Sequence, residues 1–274
     1  MLPLRLIIAA TPKTGNTWVK HLLGAVYDLP LRDLPVDWRE LDWGEPNESW
    51  VGHQHYLPTE DFVRAALSHG VRFVTTTRHP GDTFISLLHH VRRETAASEN
   101  PFDATYVRGD SSPFGPRCAE YLAKGYYQHL QLSLDWMRVP QTTLVRYESL
   151  CAEPIETLRQ LTNAIAPVSE AKLRRAFCEC EIDVLRRRNP TRGNFFSDGR
   201  VRGLDRTDPV RLQRNFHSRP SATRANGRAR LYDGRVRSAQ FFSRFAPPVA
   251  LSLAAENCIR ERSPCSADSD TDVF

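Results

Sequence analysis

Residues 12–18, Pro12-Lys13-Thr14-Gly15-Asn16-Thr17-Trp18, set a lysine just ahead of a turn of small and hydroxylated residues. A turn of this kind that opens a helix presents backbone N–H groups and the positive end of the helix dipole, the chemistry needed to hold a phosphate. The lysine precedes the glycine, whereas a Walker loop places its lysine after the last glycine, so the order fails for an NTPase. With this order the turn would hold one phosphate and Lys13 would reach a neighbouring anion. Trp18 is either a core residue or a flat surface for a purine.

A second stretch, Arg78-His79-Pro80-Gly81-Asp82-Thr83-Phe84-Ile85-Ser86, again lies where an apolar run gives way to a helical pattern. Arg78 would end a strand at the same rim as the first loop, and Ser86 lies two helical turns on, so both could meet a second, separate phosphate. The third stretch, Val51-Gly52-His53-Gln54-His55-Tyr56-Leu57-Pro58, places two histidines in the connection ahead of the second strand. A histidine at the same sheet edge as two anion sites is a candidate general base.

These stretches need elements that aim them. The run 4–10 reads as a buried parallel strand, and residues 17–29 as a helix carrying Trp18, Leu22, Leu23 and Val26 on one face. Residues 59–70 read as a helix capped by Thr59 and stopped by Gly70, residues 71–78 as a second buried strand, and the stretch from Pro80 as a helix with Pro80 at its start. Beyond a Pro-, Gly- and Asp-rich loop near 97–116, the pattern predicts a helix near 117–137, a strand at 142–148, and helices near 154–165 and 169–187. Alternating strands and helices with short connections predict an α/β fold, a three-layer P-loop-like arrangement with a central parallel sheet flanked by helices.

Taken together, the stretches "TPKTGNTW", "GHQHYLP", "RHPGDTFIS" and "LVRYESL" resemble the sulfotransferase family that uses 3′-phosphoadenosine 5′-phosphosulfate (PAPS), over residues 4 to about 196. The resemblance implies that Lys13 binds the oxygen bridging phosphate and sulfonate. It further implies that Thr14, Gly15, Asn16 and Thr17 hold the 5′-phosphate, that Trp18 stacks on adenine, and that Arg78 and Ser86 recognise the 3′-phosphate. Tyr147, followed by Glu148, looks like the family's Tyr-Glu position on the adenine side, or else simply ends a buried strand. His53 would deprotonate the acceptor, with no metal required. His53 is preferred to His55 because Tyr56 and Pro58 stand three and five residues beyond it, although reading "HYLP" as the motif would choose His55. Members often carry a lysine two residues before the base, where this chain has Val51.

The family closes its cofactor site with a C-terminal segment ending in Gly-Asp-Trp, and this chain instead reads "RGNFFSDGRVRGLDRTDP" from Arg192. Residues 186–262 hold 18 Arg, no Lys and 6 acidic residues, a balance of +12 against +5 for the whole chain. The expected organisation is therefore a PAPS-binding core over 1–196 and an Arg-rich irregular segment over 197–274, either a disordered basic tail or the product of a shifted reading frame. Arg202-Gly203-Leu204-Asp205 is compatible with the codons CGG-GGA-CTG-GAT, and a shift of one nucleotide turns these into GGG-GAC-TGG, Gly-Asp-Trp.

Bulk properties bound the reading further. At 274 residues the chain can bury a full core. The short apolar run "LIIAA" is read as a first strand rather than a signal peptide, no segment approaches a membrane span, and the six cysteines lack metal spacing. The expectation is a cytoplasmic sulfotransferase acting on a small-molecule or carbohydrate acceptor, without membrane or nucleic-acid partners. Its rivals are a P-loop nucleotide phosphotransferase, which magnesium-dependent ATP turnover would reveal, and a catalytically impaired sulfotransferase-like protein. A basic nucleic-acid binder is a third, which salt-sensitive DNA binding by residues 197–274 would reveal.

Overall fold

The computed structural model describes residues 3–93 and 96–188. The expectations placed on residues 197–274, including the shifted frame and the missing Gly-Asp-Trp closure, lie outside the described residues.

Five parallel strands form one sheet in the order β2-β3-β1-β4-β5, with β1 at Arg5–Ala9, β2 at Leu31–Asp33, β3 at Trp50–Gln54, β4 at Val71–Thr77 and β5 at Thr142–Arg146. The central strand alternates between two cores, as the pleat requires. Leu6 and Ile8 pack with Val51, Val74 and Val145 against α1 (Asn16–Tyr27), α7 (Pro154–Ile165) and α8 (Glu170–Glu179). Ile7 and Ala9 pack on the opposite face with Phe73, Trp50, Phe62 and Ala66 of α2 (Glu60–Ser68) and Trp136 of α5 (Tyr126–Trp136). A third core joins Phe84 and Leu88 of α3 (Pro80–Val91) to Tyr121 of α4 (Pro116–Lys124) and to Val107. The predicted three-layer α/β architecture is therefore present.

Local capping agrees with the sequence: Thr59 accepts from the Phe62 backbone N–H at 3.3 Å, Gly70 takes φ +71°, and Pro80 opens α3. Four expectations are corrected. Residues 50–54 form strand β3 instead of a connection, because they pair with β1 and shelter Gly52, where a Cβ would stand 2.7 Å from Leu34 Cγ. Residues 117–137 are two helices parted at Gly125, where a Cβ would meet the Pro101 carbonyl at 2.7 Å. Residues 169–187 divide into α8 and α9 (Ile182–Arg188), since Cys180 turns its carbonyl to the Trp18 indole at 2.9 Å. Tyr147 does not end a strand; it opens the short helix α6 (Tyr147–Ala152).

Candidate active site

A cleft with about 720 Å³ of empty space opens at the C-terminal edge of the sheet. Lys13, Gly15, Asn16, Thr17, Trp18, His53, Arg78, Ser86 and Tyr147 line it, together with Pro12, His55, His90 and Ile182. Nine of the ten residues singled out in the sequence thus meet in one place. Thr14 does not line the cleft: its side chain turns inward and builds the loop.

The loop between β1 and α1 is held by a buried polar network. Thr14 Oγ1 donates to the Thr11 carbonyl at 2.6 Å and lies 2.7 Å from Thr76 Oγ1, while Asn16 Nδ2 donates to the same carbonyl at 3.1 Å. Thr76 Oγ1 donates to Asn16 Oδ1, and Ser133 Oγ, which accepts from the Thr11 N–H at 2.7 Å, donates to the Thr76 carbonyl at 2.9 Å. The turn itself is left-handed at two successive odd positions, Lys13 at φ +70° and Gly15 at φ +102°. No side chain caps α1, so the N–H groups of its first turn point at the cleft with no competing carboxylate or hydroxyl. Tyr147 covers the glycine so closely that a Cβ at position 15 would lie 2.7 Å from Tyr147 Cδ2.

Arg78 leaves the end of β4, stacks its guanidinium 4.3 Å from the centre of the Tyr147 ring and donates to the Lys13 carbonyl at 3.3 Å. Glu148 Oε1 accepts from the His79 N–H at 2.7 Å, which fixes the entry to α3 and so the face that carries Ser86. Trp18 is mostly a core residue: its indole N–H is spent on the Cys180 carbonyl and its ring meets Tyr147 edge-on at 5.9 Å. Only part of it faces the cleft, and any purine contact is made with that part.

His53 lies in β3 and His55 just beyond its end, with ring centres 6.3 Å apart. His55 Nδ1 donates to the Ala10 carbonyl at 2.7 Å, so in the neutral ring Nε2 carries the lone pair. Tyr56, between the histidines and Pro58, is anchored twice: its hydroxyl donates to the Pro35 carbonyl at 2.5 Å and its carbonyl accepts from the Trp136 indole at 2.7 Å.

Burial, followed by the charges of Arg93 and Arg78, lowers Lys13 to about 8. Burial, followed by the charge of Lys20, lowers His53 to about 4. Burial also lowers His55, partly offset by its bond to the Ala10 carbonyl. The cleft thus joins a lysine with a weakened hold on its proton to uncharged imidazoles. None of the lining residues is a carboxylate. Among the described residues there is no group of three or more His, Cys, Asp or Glu side chains that could hold a metal ion, and no helix long and apolar enough to cross a membrane.

Sequence reasoning missed His90, one helical turn beyond Ser86 on the same face of α3, and its i, i+4 spacing was the available signal. Ile182 was missed as well, and it carried no signal because it joins the site from a helix far along the chain.

No protein-family profile matches the chain. Among curated proteins, cytosolic sulfotransferase 17 of Arabidopsis thaliana is 25% identical over 182 residues, covering 56% of this chain and 49% of that protein. A flavonol sulfotransferase-like protein of Flaveria bidentis is 24% identical over 192 residues, covering 60% and 57%. The chain therefore spans about half the length of the curated relatives it matches. Among solved structures, mouse sulfotransferase SULT7A1 complexed with PAP superposes with a TM-score of 0.56 at 13% identity, covering 77% of this chain and 81% of that one. Retinol dehydratase in complex with androsterone and the inactive cofactor PAP gives 0.54 at 13% identity, covering 80% and 82%. These two likenesses carry the fold, and the curated relatives show that the chain is similar in sequence to sulfotransferases over about half of their length.

Proposed function

We propose that the protein transfers a sulfonate group from PAPS to the hydroxyl or amine of a small-molecule acceptor in the cytoplasm. The observation that carries this reading is the meeting of the Lys13 loop, the Arg78–Ser86 pair and His53 in one cleft. The donor set suits the nucleotide: an uncapped helix N-terminus, a glycine with no room for a side chain, and cations without a lining carboxylate. When bound, PAPS supplies the sulfonate and leaves as adenosine 3′,5′-bisphosphate (PAP).

The residues divide the work. Thr17, Asn16 and Gly15 offer N–H groups to the 5′-phosphate, with Thr14 holding the loop from behind. Arg78 and Ser86 take the 3′-phosphate, and Trp18 and Tyr147 flank the adenine. His53 accepts the acceptor's proton as the acceptor oxygen or nitrogen bonds to sulfur, and the bond from sulfur to the phosphate oxygen breaks. Lys13 meets the charge that develops on that oxygen, a contact worth most at the transition state. No step calls on a metal.

One observation favours a second assignment of the base. The bond from His55 Nδ1 to the Ala10 carbonyl fixes a tautomer with its lone pair on Nε2, as a base requires. Transfer from labelled PAPS to an acceptor panel, run beside Lys13→Ala, His53→Ala and His55→Ala, tests the proposal. Loss with Lys13→Ala and with one histidine variant supports it, and wild-type rates in all three overturn it. The names of related proteins point to where the panel should start, with flavonols, androsterone-like steroids and retinol.

A further inference from the structure

Lys20 is an unusual lysine. It lies in the middle of α1 with its side chain only 7% exposed, and its ion-pair partner, Asp33 Oδ1 at 3.4 Å, belongs to a carboxylate that is 82% exposed. Burying an ammonium group this far is costly, and a long bond to a solvated carboxylate offsets little of that cost.

The packing of α1 on the sheet explains what the lysine faces. Gly24 lets α1 approach closely: a Cβ there would meet Leu31 Cδ2 at 2.5 Å and Val51 Cγ1 at 3.6 Å. Leu31 and Val51 are paired residues of β2 and β3, so Gly24, Leu31 and Val51 form one layer. Two residues farther along each strand the same face presents Asp33 and His53, which are also paired. One helical turn back from Gly24 is Lys20. The layer above the apolar one is therefore Lys20, Asp33 and His53. His53 Nδ1 is buried and has no hydrogen-bond partner among the described residues, so this ring is governed by charge more than by a fixed bond.

We propose that Lys20 is a positioning residue for His53, its ammonium and the Asp33 carboxylate forming an opposed pair that sets how readily the imidazole takes a proton. The charged and titratable groups that bear on the ring are Lys20 and His21 from α1, Asp33 from β2 and His55 just beyond β3. Lys20 opposes protonation of the ring and Asp33 favours it. Burial is the main reason that His53 stays uncharged at neutral pH; the Lys20 charge adds to it, and Asp33 leaves a compensating carboxylate beside the ring for the moment it becomes imidazolium. The role in catalysis rests on the sulfotransferase reading, with His53 as base; the effect on the ring does not.

The test is a histidine NMR titration of the full chain between about pH 3 and 8, with the His53 signal identified by its loss in His53→Gln. Lys20→Met is expected to raise the proton affinity of His53 about threefold or more, Lys20→Arg to keep it within about twofold of wild type, and Asp33→Asn to lower it. An unchanged His53 titration in a folded Lys20→Met protein overturns the proposal, because a purely structural lysine would not move it. Should Lys20→Met fail to fold, Asp33→Asn on its exposed carboxylate decides: a midpoint that does not fall overturns the proposal. PAP binding measured on the same samples reports on the sulfotransferase reading separately, so the two can fail independently.

Discussion

Replacing Gly15 by alanine combines two penalties that the structure separates. At φ +102° an L-residue carries a backbone cost of about 1–2 kcal/mol. Its Cβ would also stand 2.7 Å from Tyr147 Cδ2 and 3.2 Å from Cε2, which forces a buried ring to move. Such overpacking costs about 1–3 kcal/mol. Relaxation is hindered because Tyr147 is wedged between the Arg78 guanidinium and the Trp18 ring. The expected loss of stability is about 2–5 kcal/mol, read by urea unfolding of the full chain. In a Tyr147→Ala background the clash disappears and the backbone cost remains, so the same substitution should then cost only about 1–2 kcal/mol. PAP binding by calorimetry should weaken in Gly15→Ala, since a displaced Tyr147 takes Arg78 with it. A loss below about 1 kcal/mol with unchanged PAP affinity would refute this account of the loop.

Other predictions follow from charge and spacing. Sulfonate transfer should rise with pH through about 4, as His53 sheds its proton, and fall through about 8, as Lys13 loses the charge needed at the leaving oxygen; Lys13→Arg should remove the alkaline fall from the pH–rate profile. Arg78→Met should weaken PAP binding by about 10–150-fold, the equivalent of one charge-assisted contact, and leave binding of AMP, which lacks a 3′-phosphate, nearly unchanged in parallel calorimetry. Between pH 6.5 and 4 folding stability should fall, because His53 and His129 are both lowered to about 4 and the unfolded chain binds protons first. Each contributes a slope of at most about 1.4 kcal/mol per pH unit, and His129→Gln should reduce the slope measured by denaturation. Reading the coding DNA near codon 197 tests the shifted frame: a single-base shift should restore Gly-Asp-Trp, and its absence would reject the idea.

Much of the site was legible because its parts are local. The apolar run at 4–10, the small residues after it and the helical spacing from Trp18 define a strand, loop and helix without reference to the rest of the chain. What stayed hidden depends on distant partners. Strand β3 contains a glycine and ends in polar residues, and it is a strand because β1 and β2 pair with it and Leu34 fills the space over Gly52. Thr14 reads as a phosphate ligand until Thr76, from another strand, is seen to occupy its hydroxyl. Lys20 draws no reading from its sequence context, because its burial depends on the close approach of α1 to β2 and β3 that Gly24 permits. The break at Gly125 has the same origin, since the backbone that crowds it comes from residues 101 and 102.

The turn between α8 and α9 limits where the protein can be shortened. Cys180 gives its carbonyl to the indole of Trp18, and Ile182 then reaches the cleft. A fragment ending before residue 180 would strand a buried indole N–H without its acceptor and remove part of the cleft wall, although every strand of the sheet would still be present. A fragment ending at 188 retains both. A minimal version for crystallisation or binding studies must therefore keep at least Cys180 and Ile182, more than thirty residues beyond the last strand, a requirement the sheet alone would not indicate.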